Sequence, residues 1–181
     1  MSATAPPALL RVAHLINALN HRLGTGCAWL TVPMVLVTAV VVVLRYGFDT
    51  GAIAAQESVM YLHALVFMGA AAWTLQRNAH VRVDIFYQKM SPRRRALVDL
   101  LGTLLFLLPI CLYLGINSWG YVAEAWQVHE RSREAGGLAF VYLQKSIILV
   151  LVVSLVLQGI AEIIRHGYTV LGLTTEDSQH G

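Results

Sequence analysis

Four long stretches of the chain are almost free of charge: Leu23 to Leu44, Ser58 to Gln76, Leu100 to Ala123 and Ser146 to Ala161. At a rise of 1.5 Å per residue, about 20 apolar residues cross a hydrocarbon core of ~30 Å, so the first three span a bilayer directly. The fourth is shorter. Lys145 and Glu162 extend it, because long charged side chains reach toward headgroups and Ile163 and Ile164 continue the apolar pattern. The pattern predicts four transmembrane helices, near residues 24–45, 57–76, 98–122 and 145–165. Aromatic residues mark the two interfaces, with Trp29, Trp73, Tyr87 and Tyr168 near one set of ends and Tyr46, Tyr61, Trp119, Tyr121 and Tyr142 near the other. Pro33 and Pro109 fall inside spans one and three and predict kinks there.

Outside the spans two further helices are expected. Leu9, Val12, Leu15, Ile16, Leu19 and Leu23 recur at helical spacing, with Arg11, His14, Asn17 and His21 on the other face. This describes an amphipathic helix lying on the membrane surface; a plain extension of span one is the other reading. Between spans two and three, Val81, Val83, Ile85, Phe86 and Met90 alternate with polar residues, as in a short surface helix. Ser91-Pro92 then restarts the chain as an N-cap followed by proline at the first helical position. Residues 1–7 and 174–181 are small, polar or proline-bearing and are expected to be disordered.

Composition agrees with the pattern. The chain is 57% hydrophobic and 13% charged, against roughly 25% charge in an average soluble domain. Its net charge of +3 does not suggest a nucleic-acid partner, because the basic residues cluster beside apolar spans, where an anionic bilayer surface is nearer. Of the 13 Lys and Arg, six lie between spans two and three: Arg77, Arg82, Lys89, Arg93, Arg94 and Arg95. Short loops rich in Lys and Arg stay in the cytoplasm, so this connection and both termini are expected there. The first span is too long, and too soon followed by Arg45 and Asp49, to read as a cleaved signal peptide.

The fold class expected is therefore an all-α integral membrane domain of four transmembrane helices. Both termini are cytoplasmic, with an N-terminal amphipathic interfacial helix and a short interfacial helix in the cytoplasmic loop.

Candidate chemistry is sparse. Cys27 and Cys111 lie in different spans without metal-ligand spacing, and the histidines are scattered, so no metal or cofactor is expected. No nucleophile, base or phosphate loop stands out, and no enzymatic activity is expected. His63, inside span two, lacks a second axial ligand for haem and reads as a hydrogen-bonded residue between helices. His80 and Asp84, four apart, suit a structural or partner contact. Arg45 and Glu57 close the hairpin of spans one and two, either as an ion pair or as separate headgroup contacts. The small residues Gly69-Ala70-Ala71-Ala72 allow a helix, internal or from another subunit, to approach span two closely.

Arg45-Tyr46, Gln56-Glu57 and the run GAAAWTLQRNAHVRVDIFYQKMSPRRRALVDLLGTLLFLLP from Gly69 to Pro109 resemble the small membrane subunit of tripartite ATP-independent periplasmic (TRAP) transporters, the DctQ-like family. The loop HERSREAGGLAF, residues 129–140, is similar to a subgroup labelled for mannitol or chloroaromatic transport. Arg133 and Ala139 stand where that subgroup has prolines, so the solute label does not carry over.

The resemblance implies a bacterial inner-membrane subunit acting as scaffold for a large permease (M) subunit. The permease moves an organic acid or similar solute, delivered by a periplasmic solute-binding protein (P), on a sodium or proton gradient. It also implies partner-interface roles for Arg45, Tyr46, Glu57, Trp73, His80, Asp84 and Trp119. Phospholipid headgroups would contact Arg82, Lys89, Arg93, Arg94 and Arg95. The alternatives are a self-sufficient homo-oligomeric transporter and a membrane redox subunit.

Overall fold

The computed structural model describes residues 8–81 and 85–173; the two expected disordered tails, Arg82 and Asp84 lie outside them. The described chain forms α1 (Ala8–Trp29), α2 (Thr31–Gly47), α3 (Ile53–Gly69), α4 (Ala71–Gln76), a 3-10 turn (Tyr87–Lys89), α5 (Pro92–Gly102), a π-turn (Thr103–Leu107), α6 (Leu108–Gln127) and α7 (Val141–Val170). Read through their tight junctions, these elements give four helices long and apolar enough to cross a membrane: Ala8–Gly47, Ile53–Gln76, Pro92–Gln127 and Val141–Val170. Each is longer than the span expected from charge-free length. Both described ends of the chain and the basic connection share one end of the bundle, called here the basic end.

The interruptions have local causes. Pro33 lacks the N–H that would bond Trp29, and the helix breaks at Leu30 before resuming with Met34 N–H bonded to the Leu30 carbonyl at 3.1 Å. Pro109 likewise removes a donor, and the π-turn at Thr103–Leu107 lies immediately before it. Around that turn Leu107, Leu108 and Thr103 press on α7 where Gly159 leaves room; a Cβ there would come within 3.1–3.4 Å of their side chains.

The spans form an open row instead of a closed bundle: α2 packs on α3, α3 on α7, and α7 on α5 and α6. α7 is the hub. In its apolar window 39% of the residues are buried within the protein, against 6–11% in the other spans. α1 leans across the row at the basic end, touching α7, α4 and α3.

On helix α1, Leu9, Val12, Leu15 and Leu19 face outward together with Arg11, His14, His21 and Arg22, whereas the small Ala13, Gly24 and Cys27 and the amide of Asn20 are buried. Small residues let the neighbouring helices approach closely, and Asn20 is paired inside the protein. The expected amphipathic segment is thus continuous with the start of span one in a single 22-residue helix. In the basic connection, the described residues contain one 3-10 turn where a short surface helix was expected.

Candidate partner and lipid interfaces

Along α7, Ser154, Gln158, Glu162 and His166 recur every fourth residue and so share one helix face. α1 supplies the complement. Asn20 donates through Nδ2 to Gln158 Oε1 at 2.9 Å and to the Ser154 carbonyl at 3.3 Å. Gln158 Nε2 donates in turn to Asn17 Oδ1 at 3.0 Å and to Glu162 Oε1 at 2.9 Å. The other Glu162 oxygen accepts from Arg165 at 2.8 Å and lies 3.0 Å from His166 Nε2. His166 also lies 3.9 Å from Asp99 on α5, whose carboxylate accepts from Tyr87. A continuous polar chain therefore links α1, α7, α5 and the basic connection. Gln158 is 0% and Asn20 1% exposed, so these bonds form away from solvent.

Beside this chain, a groove of about 710 Å³ opens between α7 and the α5–α6 span. Leu75, Phe106, Leu107 and Leu155 are among its apolar walls, and Asp99, Glu162 and His166 form its polar end.

The opposite end is organised around Glu57. Its carboxylate accepts from Ser132 Oγ and, at 2.6 Å, from the Leu138 amide. Ser132 N–H also bonds the Leu138 carbonyl at 2.9 Å, closing residues 132–138 into a compact turn. Gly137 is required there, since a Cβ would overlap the Ser132 side chain. Next to this turn, Lys145 pairs with Glu130 and sits 3.8 Å from the Tyr121 ring centroid. Trp126 donates to Ser146 Oγ at 2.8 Å and meets Tyr142 edge-on.

Glu57 is thus a clamp for the third connection, and it is not ion-paired to Arg45. Arg45, Asp49, Thr50, Gly51 and Gln56 line a separate cleft of about 360 Å³. Glu57→Ala should loosen the 129–140 loop and speed tryptic cutting at Arg131 and Arg133 severalfold in purified, detergent-solubilised protein, with Arg45→Ala leaving it unchanged. Equal rates in wild type and Glu57→Ala would remove the clamp.

The remaining candidates divide between the two ends. Tyr46 and Trp119 stand 82% and 66% exposed near the Glu57 end. Trp73 lies at the basic end, directly over Gly24 of α1, with the His21 ring 5.9 Å and the Arg77 guanidinium 5.7 Å from its own ring centre. The small-residue cluster thus receives an internal helix: α1 crosses it with Gly24 under Trp73 and Cys27 against Gly69. Cys27 and Cys111 are both buried and free.

His80, Lys89, Arg93 and Arg94 are exposed. Arg95 instead turns back to donate to the Met90 and Gln88 carbonyls at 3.0 and 2.6 Å, and stacks on Tyr87. It braces the loop. His63 is exposed in mid-span, and its contact within the described chain is a stacked ring with Phe67.

Asn17, Asn20, Ser132, Gln158 and His166 were not singled out by sequence reasoning as site residues. For the α7 set a signal exists in the four-residue spacing of 154, 158, 162 and 166. For Ser132 there is none, since its partner is 75 residues away.

The family described as tripartite ATP-independent periplasmic transporters, DctQ component, matches residues 34–167. A Haemophilus influenzae protein named "Putative TRAP transporter small permease protein" is 34% identical over 107 residues, a region covering 58% of this chain and 65% of that relative. The chain therefore spans under two thirds of the relative's length. No solved structure matches.

Proposed function

This chain belongs to the DctQ component family of tripartite ATP-independent periplasmic transporters, and from that membership we propose that it is the fixed membrane scaffold of a TRAP complex. A large permease subunit carries the solute path, and a periplasmic solute-binding protein delivers an organic acid or similar small solute. Transport is driven by a sodium or proton gradient across the inner membrane.

The observation that carries the reading is the open row of spans. A self-contained channel or carrier closes its helices around a path, whereas among the described residues only α7 is substantially enclosed and the other spans leave long apolar faces for a larger partner. The polar chain and the Glu57 clamp stiffen both ends of the row, as a stationary element requires. The Glu57 end, with Tyr46 and Trp119 exposed, faces the periplasm and the binding protein; the arginine-rich end faces the cytoplasm and lipid headgroups.

Two measurements test this. Alkaline phosphatase fused after Met90 should be inactive and fused after Gly136 active, because the enzyme matures only in the periplasm; the reverse pattern would invert the topology. Co-expressed with the large permease and the binding protein of its TRAP complex, a tagged copy of this chain should co-purify with the permease. Proteoliposomes should take up solute only when both membrane subunits are present. Uptake by this chain alone would support the homo-oligomeric transporter and reject the scaffold.

A further inference from the structure

His63 stands on the stripe Met60, His63, Phe67 of α3. Met60 is 57% and Phe67 71% exposed, so the stripe faces away from α2, α7 and α1, against which α3 packs. His63 lies six residues from Glu57, about 9 Å along the helix from that end, and 13 residues from Gln76, about 20 Å from the other, which sets it within the hydrocarbon core. A neutral imidazole has one N–H donor and one nitrogen acceptor. Leaving such groups unbonded in lipid costs several kcal/mol each, and ionisable residues inside membranes nearly always face protein or a water-filled cavity.

Two of the other exposed mid-span polar groups differ in this respect. Thr38 donates to its own helix at the Met34 carbonyl, at 2.7 Å, and Asn117 to the Tyr113 carbonyl, at 2.8 Å. They can face lipid with their donors engaged. His63 has no hydrogen bond among the described residues, only the ring contact with Phe67, 6.2 Å between centroids.

We propose that the Met60–His63–Phe67 stripe is where a transmembrane helix of the large permease docks, carrying a hydrogen-bond acceptor at the depth of His63. The acceptor is a carboxylate, amide or hydroxyl oxygen, or the freed carbonyl of a broken helix. A second copy of this chain, packed about a twofold axis, would bring another imidazole, which accepts one N–H but leaves the N–H of the second ring unbonded between apolar neighbours. This proposal rests on the scaffold reading and identifies the face that reading left open.

The test places a photo-reactive benzoylphenylalanine at position 60, 63 or 67, and as controls at Val40 of α2 and Ile116 of α6, in cells co-expressing the permease. Cross-links to the permease from the three α3 positions, and not from both controls, are the expected result. His63→Leu should weaken retention of the permease during detergent washing by roughly three- to twentyfold, the range set by one interhelical hydrogen bond, and His63→Gln should restore much of it. The permease co-purifying normally while the stripe cross-links only to lipid or to a second copy would overturn this docking face and leave the scaffold reading intact. Failure of the wild-type chain to bind the permease at all would overturn both.

Discussion

Gln158→Leu should lower the stability of the purified protein by about 2–3 kcal/mol, the largest single-residue loss expected at a hydrogen-bonded position. Gln158 bonds Asn20, Asn17 and Glu162 at 2.9–3.0 Å with its side chain fully buried. Interhelical hydrogen bonds in membranes average only about 0.6 kcal/mol each. The larger part of the loss therefore comes from what remains, since an orphaned buried polar group costs about 1–3 kcal/mol and more when charged.

The readout is the midpoint of unfolding in an SDS titration. Asn20→Leu should also destabilise. The double variant should cost clearly less than the two single losses together, because replacing both partners by apolar side chains removes one pair of orphans. Strictly additive losses would show that the two residues do not act through their contact.

Gly24→Leu should have a comparable effect by a different route. A Cβ at position 24 overlaps Cβ and Cγ of Trp73, the inflexible base of a large side chain held between α1 and α4. Either α1 withdraws or the indole moves, and overpacking of this kind costs about 1–3 kcal/mol. Gly26, two residues on, has nothing within 4 Å of a built Cβ. Gly26→Leu should therefore stay within about 0.5 kcal/mol of wild type, as surface substitutions do. The pair separates a clash from a general loss of helix flexibility, since both changes replace glycine by leucine on the same helix. Equal effects of the two would reject the close crossing of α1 over α4.

These positions show which parts of the site were legible. Gly69 to Ala72 announced a close helix approach, and the approach is there, with α1 as the partner. Glu57 was expected near a turn with Arg45 as one candidate partner, but the carboxylate is taken by a loop 75 and 81 residues further on. The N-terminal segment was rightly read as helical, and Arg11, His14 and His21 of its polar face stand exposed, yet Asn17 of that face bonds Gln158 of α7. A helical moment records that two faces differ; it does not say which is turned to protein when the surroundings are hydrocarbon.

Hydropathy and charge are transfer free energies that each residue carries wherever it stands. They therefore sufficed to number the spans and to place each inside one long helix, and they are what predicts a side for the basic connection. The pairing of Asn20 with Gln158, the clamp on Glu57 and the row centred on α7 depend on registers between segments. The α1–α7 bonds join residues 134 to 141 positions apart. Many registers bury similar apolar area in a lipid solvent that rewards such burial little. Small-residue contacts and polar satisfaction choose among them, and those exist only once the helices have met.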